Sequence, residues 1–227
     1  MITAIQLLTI LDEALAGWKS YVKRIPMLRA GVKVLEKINK KGFKAYIVGG
    51  TVRDLVLGQE PHDIDIATNM SMSEIKKLFK TYELGKSTDY GIVVIREKGF
   101  SFELAQFRAD GSYVDGRRPE TVEIKGTFKE DAERRDFTIN AMAIDKTGNI
   151  IDYFNGRKDI KNKVLRTVGD PKKRFGEDKL RIMRAARFAA KLDMDIDKDT
   201  RSTARKLAKD MTQLSAERIK DELFYMM

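Results

Sequence analysis

Cysteine is absent from this chain of 227 residues, histidine occurs once, at His62, tryptophan once, at Trp18, and proline four times. Without thiols there is no disulfide framework, no thiolate zinc site and no cysteine nucleophile, and a reducing cytoplasm is the simplest address. A single histidine excludes His-rich metal sites and leaves one residue on which a Ser-His-Asp triad would have to be built. Any bound metal therefore rests on oxygen ligands, which favours magnesium-type chemistry. No stretch approaches the roughly 18 apolar residues of a membrane span. The opening MITAIQLLTILDEALAGW has no cationic segment and contains Asp12 and Glu13, so no export signal is expected.

What is present is positive charge. Lys and Arg total 44 against 34 acids, a net charge of +10, as expected of a partner to a polyanion such as nucleic acid. Residues 157–227 hold 20 basic and 12 acidic side chains, so +8 of the +10 lies in this last third. Charge alone fits a solvated helical face equally well.

Apolar residues at spacings of three and four (Ile5, Leu8, Leu11, Leu15, Trp18, then Leu28, Val32, Leu35, Ile38) predict two amphipathic helices before Lys41. The run 45–48, the pair Gly49-Gly50, a helical stretch over 51–58 and the alternating segment Asp63 to Ala67 read as strand, glycine turn, helix, strand. Residues 72–80 read as helix, 91–96 and 101–107 as paired strands, and 108–119 as a long polar loop. A strand at 121–124, a polar helix near 127–135 and a hairpin over 141–145 and 150–153 follow. Helices are expected at 156–162, 176–192, 198–209 and from Ser215, with Ser215 as N-cap. The division expected is an N-terminal helical part (1–41), an α/β head (42–155) and a helical domain (156–227).

Asp63 and Asp65 lie two apart on a predicted strand, so both carboxylates leave one face and can share one or two divalent cations. Upstream, Gly49 and Gly50 let backbone amides approach phosphate oxygens, and Arg53 follows on the helix they open. A phosphate cradle beside metal-binding acids describes metal-assisted nucleotidyl transfer. Glu103, on a neighbouring strand, is either a third carboxylate or a plain solvent-facing residue. His62 is expected to be solvated, and a separate general base is not required.

The segments GGTVRDLVLG, DIDIAT, RRDFTINAMA, DYFNG and EDKLRIMRAARF, in this order, resemble the motifs of class II tRNA nucleotidyltransferases and their bacterial poly(A) polymerase relatives. The resemblance implies a polymerase-beta-like head, with a mixed, mainly antiparallel sheet, and an all-helical neck. It implies addition of C, C and A from CTP and ATP to tRNA 3′ ends without a nucleic acid template, with Mg2+ in a two-metal site. By that resemblance Asp63 and Asp65 hold the metals and Gly49, Gly50 and Arg53 the triphosphate. Arg135 and Asp136 would recognise ribose, while Asn140 either contacts the nucleotide or caps a turn. Arg134 reads better as a local ion pair, and Asp152 and Gly156 as shaping the hinge between head and neck.

Asp178 and Arg181, three apart on one predicted helix, have a specific use in that setting. Cytosine and adenine each present an amino donor beside a ring-nitrogen acceptor, whereas uracil and guanine present a carbonyl beside an N–H. A carboxylate that only accepts, paired with a guanidinium that only donates, matches C and A. Glu177 would orient Arg181, and Arg184 and Arg187 continue along the helix towards phosphates. Most aromatic residues, including Phe102, Phe107, Phe137, Tyr153 and Phe188, are expected in the core, with Tyr113 in the long loop as the exception. By the same resemblance, the loop 108–119 with its DGRRPE segment implies addition of the terminal A, and full CCA addition ranks ahead of the A-only and poly(A) alternatives. A catalytically idle RNA-binding module is the alternative of a different class. Family members continue into further helical regions, so the chain is expected to be either a fragment or a compact form.

Overall fold

Pro26 opens the helix that organises the first half of the molecule. In the computed structural model, which describes residues 17–82, 91–108 and 126–225, a helix over 17–24 (α1) precedes α2 (Pro26–Lys40), where proline occupies a first-turn position that needs no amide donor. Leu28, Val32, Leu35 and Ile38, the residues singled out by spacing, are all buried. Each such side chain contributes about 1.5–3 kcal/mol when fully removed from water.

The described residues divide into two compact units, Met1–Phe107 with Met142–Ile151, and Arg108–Ala141 with Asp152–Met227. The first is built on a sheet of β1 (Ala45–Val48), β2 (Asp65–Thr68), β3 (Thr81–Tyr82), β4 (Ile92–Glu97), β5 (Phe100–Gln106), β6 (Met142–Ile144) and β7 (Ile150–Asp152). Their spatial order is β3-β4-β5-β2-β1-β6-β7. β1 pairs antiparallel with β2 and β6, and β4 with β3 and β5, while β2 and β5 run parallel. This is the mixed, mainly antiparallel sheet expected. Helices α3 (Gly50–Val56) and α4 (Met72–Leu78) connect its strands.

Helix α2 lies against β1, β4 and β5, close enough that a Cβ on Gly31 would stand 3.4 Å from Ile64 and from Phe102. Side chains alternate across a strand, so Glu103, following Phe102 on β5, and its register partner Asp65 on β2 turn away from α2, while Asp63, expected on the strand, lies two residues ahead of it. Asp63 and Glu103 are exposed and Asp65 is half-buried.

The second unit contains α5 (Phe128–Glu133), a 3-10 turn (Thr138–Asn140), α6 (Gly156–Lys161), α7 (Pro171–Glu177), α8 (Leu180–Leu192), α9 (Lys198–Leu207), a second 3-10 segment (Ala208–Gln213) and α10 (Ala216–Phe224). It also holds a small parallel pair, β8 (Val164–Leu165) with β9 (Asp195–Ile196), within an otherwise helical region. Phe137 and Phe188 meet edge to face, centroids 5.8 Å apart, at its core. Ser215 occupies the N-cap position of α10, but its side chain makes no capping hydrogen bond. The residues expected to form the earlier part of α1, most of the loop 108–119 with Tyr113, and the strand 121–124 lie outside the described residues.

Candidate nucleotide site

Two local constructions carry the candidate residues, one in each unit. In the first, β1 ends at Val48 and the chain turns through Gly49 at φ 73°, ψ −135°, a conformation that side-chain-bearing residues rarely adopt. The Gly49 amide donates to the Met142 carbonyl (3.3 Å), and its own carbonyl accepts from the amides of Val52 and Arg53 (3.2 and 3.3 Å). The Arg53 guanidinium lies beside Gly50, where a Cβ would be 3.4 Å from Nη2, and pairs with Asp54 at 2.7 Å. The Thr51 hydroxyl donates to the Asp63 carbonyl (3.1 Å), so the glycine turn and the first acid are joined by a direct hydrogen bond.

Asp65 is the register partner of Glu103 on the parallel strand β5, and Asp63 precedes β2 on the exposed stretch beside His62, itself exposed. Among the described residues no three His, Asp or Glu side chains converge as a metal site, so Glu103 does not close with the two aspartates into a three-ligand cluster. The candidate donors are thus two hard carboxylates, Asp63 and Asp65. They suit magnesium, which takes one or two protein carboxylates and completes its shell with water and substrate phosphates.

In the second unit, α5 begins with a reciprocal capping box between Thr127 and Glu130. One turn on, Asp131 is buried to 1% exposure and grips both following arginines, Arg134 at 2.5 Å and Arg135 at 3.1 Å. Burial alone would raise its carboxyl, but the two guanidinium charges and their hydrogen bonds hold it below the usual aspartate value. Arg135 also donates to the Asn140 carbonyl (3.2 Å). Arg135 and Asp136, treated as a pair in the sequence reading, are directed to different partners. Asp136 accepts from Arg184 Nε and Nη2 (2.8 and 2.5 Å), Asn140 Nδ2 (3.2 Å) and the Phe137 amide (2.8 Å). Burial raises its carboxyl, and the Arg184 charge with these bonds more than offsets that, leaving it below its ordinary value.

The helix expected over 176–192 is broken. Asp178 is extended (φ −151°, ψ 109°) between α7 and α8, so Asp178 and Arg181 do not share one helical face. The break follows from capping: Asp178 Oδ1 accepts from the Leu180 amide (3.0 Å) and its carbonyl from the Arg181 amide (3.1 Å). Asp178 Oδ2 accepts from Arg218 on α10 (2.8 Å). Arg181 is held by Glu177 (2.7 Å), the Arg174 carbonyl (3.0 Å) and the Arg134 carbonyl (2.9 Å). Glu177 also accepts from Arg174 (2.8 Å), an arginine only 2% exposed.

Arg184 and Arg187 meet protein carboxylates as well. Arg187 donates to Glu222 of α10 (2.7 Å) and stacks over Phe188, and Arg184 lies 3.6 Å from the same glutamate. Tyr153, expected in the core, is 52% exposed. Asp152 accepts from the amides of Phe154, Gly156 and Arg157 (3.3, 2.9 and 2.9 Å), fixing the turn from β7 into α6. Sequence reasoning missed Asp131, Arg174, Arg218 and Glu222. Asp131 and Arg174 had local signals, Asp131 standing three and four residues before the two arginines it holds and Arg174 three before Glu177.

The poly A polymerase head domain model matches residues 45–166, and the probable RNA and SrmB-binding site of polymerase A matches 193–227. The chain is 46% identical over 199 residues to the CCA-adding enzyme of Streptococcus mutans, covering 87% of this chain and 49% of that one. The Bacillus stearothermophilus CCA-adding enzyme in complex with CTP superposes with a TM-score of 0.81 at 38% identity, over 88% of this chain and 48% of that one. For the Thermotoga maritima CCA-adding enzyme complexed with tRNA the values are 0.73 and 25%, over 92% and 49%. The chain therefore spans about half the length of these relatives. With the head-domain model matched across more than half of its residues, the chain belongs to the class II CCA-adding enzyme and poly(A) polymerase family of nucleotidyltransferases, a family that is generally metal-dependent.

Proposed function

We propose that this chain carries the nucleotide-adding machinery of a tRNA nucleotidyltransferase, which extends tRNA 3′ ends with C, C and A from CTP and ATP and releases pyrophosphate. The observation that carries this reading is the fixed pair in the second unit. Asp178 presents a carboxylate anchored by one bond on each oxygen, and Arg181 is held through three of its five N–H donors. Acceptor capacity is left on Asp178 and donor capacity on Arg181, two groups that between them suit the edges of cytosine and adenine while opposing those of uracil and guanine.

Asp63 and Asp65 would hold magnesium, which when bound lowers the pKa of the attacking 3′ hydroxyl and neutralises charge on the phosphates. Glu103 is a supporting carboxylate beside them. The Gly49 turn gives phosphate oxygens close approach to backbone amides, and Arg53 adds a fixed positive charge there. Asp131 holds Arg135 in place near the ribose-reading Asp136. Asn140 supports the Asp136 carboxylate, and Arg184 and Arg187 add positive charge along α8.

The test is an extension assay at single-nucleotide resolution, with the purified chain, a tRNA lacking its 3′ CCA, all four NTPs and magnesium. Addition of C, C and A followed by a stop is expected. Addition of A alone, or of a long A tail, would assign one of the two related activities. No extension with RNA still bound would leave an RNA-binding module.

A further inference from the structure

An ionised carboxylate offers about four lone-pair sites, and at Asp136 all four are used. Oδ1 accepts from the Phe137 amide and Asn140, and Oδ2 accepts twice from Arg184. The side chain is only 8% exposed. Asp178, by contrast, accepts once on each oxygen. A sugar hydroxyl can therefore reach an acceptor at Asp136 only when one of its four donors leaves.

The Phe137 amide is fixed by the backbone and Asn140 sits buried in the 3-10 turn. Arg184 is the donor that can leave, because a second carboxylate waits beside it. Its Nη1 lies 3.6 Å from Glu222 Oε1, and Glu222, at 5% exposure, is itself anchored by Arg187 through the other oxygen. Transfer from one carboxylate to the other requires a shift of less than about 1 Å to reach hydrogen-bonding distance. The guanidinium never loses an anionic partner on the way.

We propose that Arg184 is a movable clamp shared between Asp136 and Glu222, and that Glu222 is a positioning residue for sugar recognition: by drawing Arg184 away it frees Asp136 to accept from the nucleotide's ribose hydroxyl. This rests on the reading of Asp136 as the ribose acceptor. With Glu222 neutralised, Arg184 stays on Asp136 and a ribonucleotide loses its advantage over the deoxy form, whereas binding of the deoxy form, which never used that acceptor, is unaffected.

The test compares CTP with 2′-deoxy-CTP as substrates for the first addition, in the unaltered chain and in Glu222→Gln, Asp136→Asn, Arg184→Lys and the Glu222→Gln/Arg184→Lys double variant. Glu222→Gln should raise KM for CTP about fivefold, the size of one modest hydrogen bond, with kcat and the KM for 2′-deoxy-CTP unchanged. Arg184→Lys loses the two-nitrogen grip on Asp136 and should increase the preference for CTP, and in the double variant the Glu222→Gln effect should disappear. Equal changes for both nucleotides, or no change, would overturn the proposal. Should Glu222→Gln fail to fold, Arg184→Lys decides alone, an unchanged preference counting against the clamp. If Asp136→Asn abolishes the ribose preference while Glu222→Gln leaves it intact, the clamp is wrong and the ribose reading stands. If Asp136→Asn keeps the preference, the ribose reading itself fails.

Discussion

Arg218 on α10 donates to Asp178 across 2.8 Å, tying the last described helix to the carboxylate proposed to read the base. Arg218→Ala would leave Asp178 with its Leu180 amide bond alone and free to rotate away from the base-reading position. We expect the preference for CTP over UTP in competitive incorporation to fall about tenfold, equivalent to about 1.4 kcal/mol. An unaltered preference would remove Arg218 from base selection.

Asp63→Ala and Asp65→Ala separate catalysis from binding. Each removes one carboxylate of the proposed magnesium pair and should lower turnover at least about 10³-fold, since metal stabilisation of transition-state charge amounts to several kcal/mol. The basic surface of residues 157–227 is untouched, so tRNA affinity by filter binding should stay within about twofold. Retained turnover in both variants would show that the reaction centre lies elsewhere.

Asp131 makes a prediction about pH. Its carboxyl is held below the usual aspartate value in the folded chain, so its contribution to stability is fully present above the unfolded pKa of about 3.9 and is lost as pH falls through the lower folded value. Asp131→Asn leaves Arg134 and Arg135 without their shared partner and should cost about 3 kcal/mol near neutral pH. Denaturant unfolding of both proteins should show that gap shrinking below about pH 4. A gap that stays constant down to pH 2 would mean that the pair does not hold the carboxyl ionised.

Most of the fold was legible because its signals are local. The spacing of Leu28, Val32, Leu35 and Ile38 marked α2, and the alternation after Asp63 marked β2, although the strand begins at Asp65 and leaves Asp63 ahead of it. The broken helix at Asp178 was not legible. Residues 176–192 have unbroken helical periodicity, and the break arises from an aspartate bonding to the amide two residues on, which competes with the helix only in its tertiary setting. The partners of the candidate site were hidden for a related reason. Glu222 stands 38 residues beyond Arg184 and Arg218 stands 40 beyond Asp178, and pattern along the chain carries no information about which charges a fold brings together. Arg174 illustrates the limit best. A sequence reading sends an arginine among charged neighbours to the surface, whereas here it is buried between Glu177 and the helices around it.

Gly148 gives the last prediction, one of stability. It turns the β6–β7 connection at φ 93°, and a Cβ there would stand 2.4 Å from Cγ of Trp18 on α1, closer than packed atoms tolerate. Gly148→Ala therefore meets backbone strain of about 1 kcal/mol and a clash of about 1–3 kcal/mol with a buried indole. The melting temperature should fall by about 4–16 °C, at 2–4 °C per kcal/mol for a chain of this size. Trp18→Ala alone should cost about 3–5 kcal/mol through the void it leaves. The double variant decides whether the two residues act together: with the indole gone the clash vanishes and only the strain of the turn remains, so Gly148→Ala should cost about 1 kcal/mol in that background. Strict additivity would mean that Trp18 does not rest on the turn. The predicted shortfall would instead show that α1, which lies ahead of the region matched by the head-domain model, is packed into the first unit at this contact.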